Sequence, residues 1–173
     1  SESTTDLTVS DITVSGGAIS SFTGSGTSYT AKFTSAIRAD GTKTIAIAGG
    51  AFTDAAGNSN TGSASFTYTY DGTAPTSSIS AGALSSGGLS NSGTETFTFT
   101  SSESTTDLSV DDITVSGGAI SSFTGTGTSY TATFTPSGDG SKSISIADGT
   151  FADAAGNSNT GSSSFTYTYD GTA

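Results

Sequence analysis

The sequence predicts an all-β chain folded as tandem antiparallel β-sandwiches of about seven strands each, and three observations lead there. Apolar residues alternate with Ser and Thr in short runs; Phe165, Tyr167 and Tyr169, for example, are separated by Thr166 and Thr168. Such a period of two lines one face of a strand with aromatic rings. Clusters of Gly, Asn, Asp and Ser separate the runs, and no segment carries a helical period. The chain also repeats itself. Ser1 to Thr34 aligns with Ser102 to Thr135 without a gap, and Asp54 to Ala74 recurs almost unchanged as Asp153 to Ala173.

Taken in order, the second copy offers strand candidates at 77–80, 95–101, 112–116, 119–124, 129–135, 142–147 and 163–169. Hairpin turns are expected at 116–118, 125–128 and 138–140, each rich in glycine. Gly82 to Gly93 reads as loop. Leu108 and Val110 are out of phase with Ile113 and Val115, which predicts a bulge or corner near Asp111 and Asp112. Ile120 and Phe123 are out of phase with each other. A repeat of about 100 residues with turns at this spacing indicates a sandwich of immunoglobulin or fibronectin type.

The first copy has no counterpart of Thr76–Ser101. The expected domains are therefore 1–72, a repeat lacking its first two strands, and 73–173, a complete repeat, with a linker at 71–76. Two explanations present themselves. The sequence is a window cut from a longer repetitive chain, the preferred reading, or a neighbouring subunit donates the strands.

Net charge is −11, and the cations are Lys32, Arg38, Lys43 and Lys142 alone. Nucleic acid and anionic membranes, which both demand basic patches, are not expected partners. No apolar run approaches the length of a membrane span. Without Cys or His the familiar nucleophile–base pairings are unavailable, so the chain is expected not to be an enzyme. Lys43 and Lys142 are read as ordinary strand-edge lysines, with an isopeptide bond to Asp or Asn the less favoured reading.

If strands run alternately up and down, Ser102–Asp111, the 125–128 turn and Thr150–Ser162 share the pole where the chain enters. Glu103, Asp107, Asp153 and Asn157 then meet there, and the linker brings Asp71. Oxygen ligands of this kind suit a hard cation such as Ca2+, which also relieves the repulsion among the carboxylates. The first copy keeps Glu2, Asp6, Asp54 and Asn58. The plainer reading is that Asp153 and Asn157 cap a turn while Glu103 is a solvated strand end.

Five motifs in order now carry a resemblance: Phe-Thr-Phe-Thr-Ser-Ser-Glu (97–103), Asp-Ile-Thr-Val-Ser-Gly-Gly (112–118), Tyr-Thr-Ala-Thr-Phe-Thr-Pro (130–136), Asp-Ala-Ala-Gly-Asn (153–157) and Asp-Gly-Thr-Ala-Pro (71–75). Together they resemble the bacterial Ig-like repeats of very large secreted adhesins. The resemblance implies a structural stalk outside the cell or on its surface, with neighbouring repeats as partners and calcium stiffening the junctions. By position it implies Asp71, Glu103, Asp153 and Asn157 as junction ligands. The alternatives are a subunit of an extracellular filament or surface layer that self-associates by strand donation, and a carbohydrate- or ligand-binding module.

Overall fold

The computed structural model describes residues 2–36, 40–62, 64–161 and 163–172; Ser1, Arg38, Ala39, Ser162 and Ala173 of the sequence reading lie outside them. The chain forms two compact units, Ser1–Thr73 and Ala74–Ala173. Unit 1 contains β1 (Ile12–Ser15), β2 (Gly17–Ser25), β3 (Ser28–Ser35), β4 (Gly41–Ile47) and β5 (Ala64–Tyr70). Unit 2 contains β6 (Ser77–Ser80), β7 (Leu89–Ser90), β8 (Glu95–Thr105), β9 (Ile113–Ser116), β10 (Gly118–Pro136), β11 (Gly140–Ile146) and β12 (Ser163–Tyr169).

In unit 2, β8 lies between β10 and β6 in one sheet, and the other has the order β7-β12-β11-β9. Alternation sends Phe97 and Phe99 of β8, Phe134 of β10, Ile144 and Ile146 of β11, and Phe165 and Tyr167 of β12 into one buried core. Phe97 spans the sandwich. Its ring centroid lies 5.1 Å from that of Phe165 across the core and 6.1 Å from that of Phe134 in its own sheet, both edge to face.

Several elements differ from expectation. The 119–124 and 129–135 candidates are one continuous strand, β10, which folds back so that Phe123 stacks on Tyr130 at 5.6 Å. Gly127, at φ 68, makes the change of direction. Ser122 at φ 53, and its counterpart Ser21 at φ 51 beside a register shift between Ser20 and Thr23, explain the phase problem. An inserted residue brings Ile120 and Phe123 to the same face, and both pack against the core.

The corner near Asp111 is a single 3-10 turn, Val110–Asp112, in which the Asp112 carboxylate accepts from Ser109 N–H at 2.7 Å. It leaves Leu108 buried and Val110 exposed. The 82–93 loop contains β7, whose pairing with β12 is parallel, unlike the other pairings. Lys43 and Lys142 are not strand-edge residues. They occupy the central strands β4 and β11, are 3% and 2% exposed, and lay their ammonium groups over Tyr70 and Tyr169 at 5.7 and 6.0 Å from the ring centroids.

Unit 1 has the sheets β1-β4-β5 and β2-β3. Local contacts match those of unit 2: Phe22 stacks on Tyr29 at 5.6 Å, and Phe33 meets Tyr68 edge to face at 6.2 Å. Counterparts of β6 and of the Phe97–Phe99 stretch are absent among the described residues. Phe165 is 4% exposed and its counterpart Phe66 is 62% exposed. We therefore expect Phe165→Ala to cost about 3–5 kcal/mol in chemical denaturation, and Phe66→Ala less than about 1 kcal/mol.

Candidate acidic pole

Three segments meet at one end of unit 2. The last residue of β8, Thr105, bridges to Gly127 in β10 and to Asp153 in the loop before β12. Tyr130 fixes this junction from below, its hydroxyl donating to Thr105 O at 2.7 Å. Tyr29 does the same to Thr4 O at 2.7 Å in unit 1. The sequence reading did not single out either tyrosine, because both look like ordinary members of an aromatic row.

Asp107 ties the loops together. Its carboxylate accepts from Ala152 N–H at 3.1 Å on each oxygen and from the Thr105 hydroxyl. Asp6 repeats this on Thr53, accepting from its N–H at 2.9 Å and its hydroxyl at 2.6 Å. Hydrogen bonds from Thr4 and Thr53 hold the Asp6 carboxyl below its usual range. Both aspartates thus spend their oxygens on loop closure.

Asp153 closes its own turn. Oδ1 accepts from the backbone N–H groups of Ala155 and Asn157 at 2.8 and 2.9 Å, and Oδ2 from Asn157 Nδ2 at 2.9 Å. Gly156, at φ 89, lets the chain turn under the carboxylate. Asp54 makes the same contacts with Ala56 and Asn58 at 2.8–2.9 Å. The capping role anticipated for Asp153 and Asn157 is present in this geometry.

Glu103 is not a solvated strand end, because β8 continues to Thr105. It falls on the same face as Phe97, Phe99 and Ser101, at the polar end of the inward row, and is half-buried. One of its carboxylate oxygens lies within 4.8 Å of one from Asp153, which is itself 8% exposed. Burial pushes the Asp153 carboxyl up, but hydrogen bonds from Asn157, Ala155 and Gly156 outweigh it and hold it below the ordinary value. In unit 1, Asn58 first and Glu2 further on in order of effect hold Asp54 at about 2. A Glu–Asp carboxylate pair therefore recurs at the same place in both units. Asp71 belongs to the end of unit 1, where its carboxylate accepts from Thr73 N–H at 3.2 Å.

Asn159 lies in the loop before β12. It is buried and holds that loop to the end of β11, accepting from Thr150 and Phe151 N–H at 2.8 and 3.0 Å and donating to Ala147 O at 2.9 Å. Neighbouring Asn157 has the same side chain and a different task, which composition cannot distinguish.

Chemically, the pole offers oxygen donors and ionised carboxylates, the donor set of a hard cation. The one buried side-chain oxygen without a hydrogen-bond partner among the described residues is Tyr167 Oη. Burial, with Glu95 and Tyr169 nearby, pushes that phenol up to about 12, so it stays protonated at neutral pH.

A family model described as bacterial Ig-like domain matches the chain twice, over residues 1–70 and 71–169. No curated protein and no solved structure matches.

The depressed Asp54 carboxyl links stability to pH. Its folded value of about 2 lies below the reference 3.8, so the folded state binds fewer protons there. The contribution is full above the reference value and is lost as pH falls from about 4 through about 2. A carbon-detected NMR titration should show Asp54 ionising near 2, and Asn58→Ala should return it toward 3.8.

Proposed function

The chain belongs to the bacterial Ig-like domain family, and on that premise we propose that it is a structural spacer, a stalk segment of a secreted bacterial surface adhesin stiffened by calcium. The observation that supports this best is repetition. The Glu–Asp pair, the capped Asp-x-x-x-Asn turn and the tyrosine clasp occur in both copies in the same arrangement. A stalk built in series needs the same unit many times, whereas a binding module specialises one surface.

Bacterial Ig-like domains are typically structural modules and are common in surface or extracellular proteins. No helix among the described residues is long and apolar enough to cross a membrane. For a sugar-binding module the aromatic rings would need to form an exposed platform; in unit 2, Phe97, Phe99, Phe134, Phe165 and Tyr167 are buried.

Calcium fits the donors. Glu103 and Asp153 hold two negative charges in a partly desolvated place, where a cation between them removes their repulsion. The reading takes Asp71 as a further ligand by chain connectivity. Pro75 O accepts from Thr160 N–H and Thr76 O from Ser102 N–H, both at 2.9 Å, so the chain enters unit 2 beside Glu103. Asp71 lies upstream of Pro75 by a stretch that spans at most about 14 Å when extended. Asp107 and Asn157 then serve the loop rather than the ion.

With calcium at about 100 times its dissociation constant, binding to the folded state adds about 2.7 kcal/mol. That corresponds to a melting point roughly 10–20 °C higher for a domain of this size. Thermal melts and small-angle scattering in calcium and in chelator should show this rise together with a more extended, stiffer particle. Glu103→Gln, which leaves the Asp153 turn intact, should abolish both effects. Identical melts and scattering in calcium and chelator would remove the cation from the account.

A further inference from the structure

Residues 71–76 have the composition of a linker, yet most of them are held. The β4–β5 pairing ends with Gly41 opposite Tyr70. Asp40, the residue before β4, reaches past that last pair. Its Oδ1 accepts from Gly72 N–H at 2.7 Å and its Oδ2 from the Thr73 hydroxyl. Thr73 N–H donates in turn to Asp71 Oδ1 at 3.2 Å. The Tyr70 ring carries the Lys43 ammonium at 5.7 Å and lies against Gly72, where a Cβ would come within 2.8 Å of the phenol oxygen. Only glycine lets the chain cross the ring so closely.

Unit 2 builds the same exit. Gly140 lies opposite Tyr169, and Asp139 Oδ1 accepts from Gly171 N–H at 2.8 Å. Thr172 donates to Asp170 Oδ1 through its N–H at 3.2 Å and its hydroxyl at 2.9 Å. Lys142 lies over Tyr169 as Lys43 lies over Tyr70. In both copies the acceptor comes from 32 residues upstream, so the exit is tied by tertiary structure and not by a local turn.

We infer that each unit carries an exit clamp, in which the aspartate before the penultimate strand grips the chain as it leaves the last one. At 71–76 this grip leaves little to bend. Thr73 is held by Asp40, Pro75 O accepts from Thr160 N–H at 2.9 Å, and Thr76 N–H donates to Ser102 Oγ at 2.9 Å. The hinge is therefore Ala74 alone, whose backbone the following proline biases towards extended conformations. The clamp goes beyond the calcium reading and needs no cation. It fixes the backbone on both sides of Asp71 and leaves a single residue for a cation to immobilise.

The test is backbone amide NMR relaxation on the 173-residue chain in chelator. Gly72 and Thr73 should show order parameters of about 0.85, the value of rigid backbone, with a dip confined to Ala74. Asp40 is exposed, so Asp40→Ala should leave the fold intact and take Gly72 and Thr73 below about 0.6. Asp40→Asn keeps an acceptor oxygen and should hold Gly72 in place. Asp139→Ala should release Gly171 and leave Gly72 unchanged. Order parameters below about 0.6 at Gly72 in the unaltered chain, or unchanged values in Asp40→Ala, would overturn the clamp. These results are read before calcium is added, so failure of the cation reading, seen as no rigidification of Ala74 on adding calcium, is distinct from failure of the clamp.

Discussion

Phe97 sits between the two sheets of unit 2, touching Phe134 within its own sheet and Phe165 across the core. Most of the rest of the unit depends on the strand that carries it. β8 is central in its sheet, so it supplies hydrogen bonds to two neighbours and a row of inward side chains at once. In an otherwise Ser- and Thr-rich chain, few apolar groups are available. Each phenylalanine that loses its cover forfeits roughly 1.5–3 kcal/mol of burial, a large part of the margin of a small domain.

The same inward row also builds the pole. Beyond Phe97 and Phe99 it continues through Ser101 and Glu103 to Thr105, changing from apolar to acidic along one strand. The aromatic part fixes the strand's position, and through it the position of Glu103 against the capped Asp153 turn. Core packing and acidic chemistry are thus coupled by geometry. Unit 1 repeats the loop chemistry in Asp54 and Asn58. Its acidic turn is held by local hydrogen bonds.

Strand identity was legible wherever alternation was strict, as in β11 and β12, because Ile144, Ile146, Phe165 and Tyr167 leave no other face to bury. The meeting of the loops around Glu103, Asp107 and Asp153 was also legible, from strand count alone. Other features left no signal. The extension of β8 past Ser101 was hidden because its inward positions there are polar. Lys142 was misread because lysine is rarely buried; its stem lies against Gly117, which has no side chain to exclude it. The bulge at Ser122 showed only as a broken period, and the tyrosine clasps and Asn159 are ordinary residues whose role comes from what lies opposite them.

The most direct test of the dependence on β8 is hydrogen exchange measured along the whole chain. Run on the chain and on its Phe97→Ala variant, it isolates the cover that β8 supplies to β11 and β12. The account predicts amides of Lys142–Ile146 and Phe165–Tyr167 exchanging roughly a hundredfold faster in the variant. Equal protection in the two chains would contradict it, because β11 and β12 would then hold without the cover of β8.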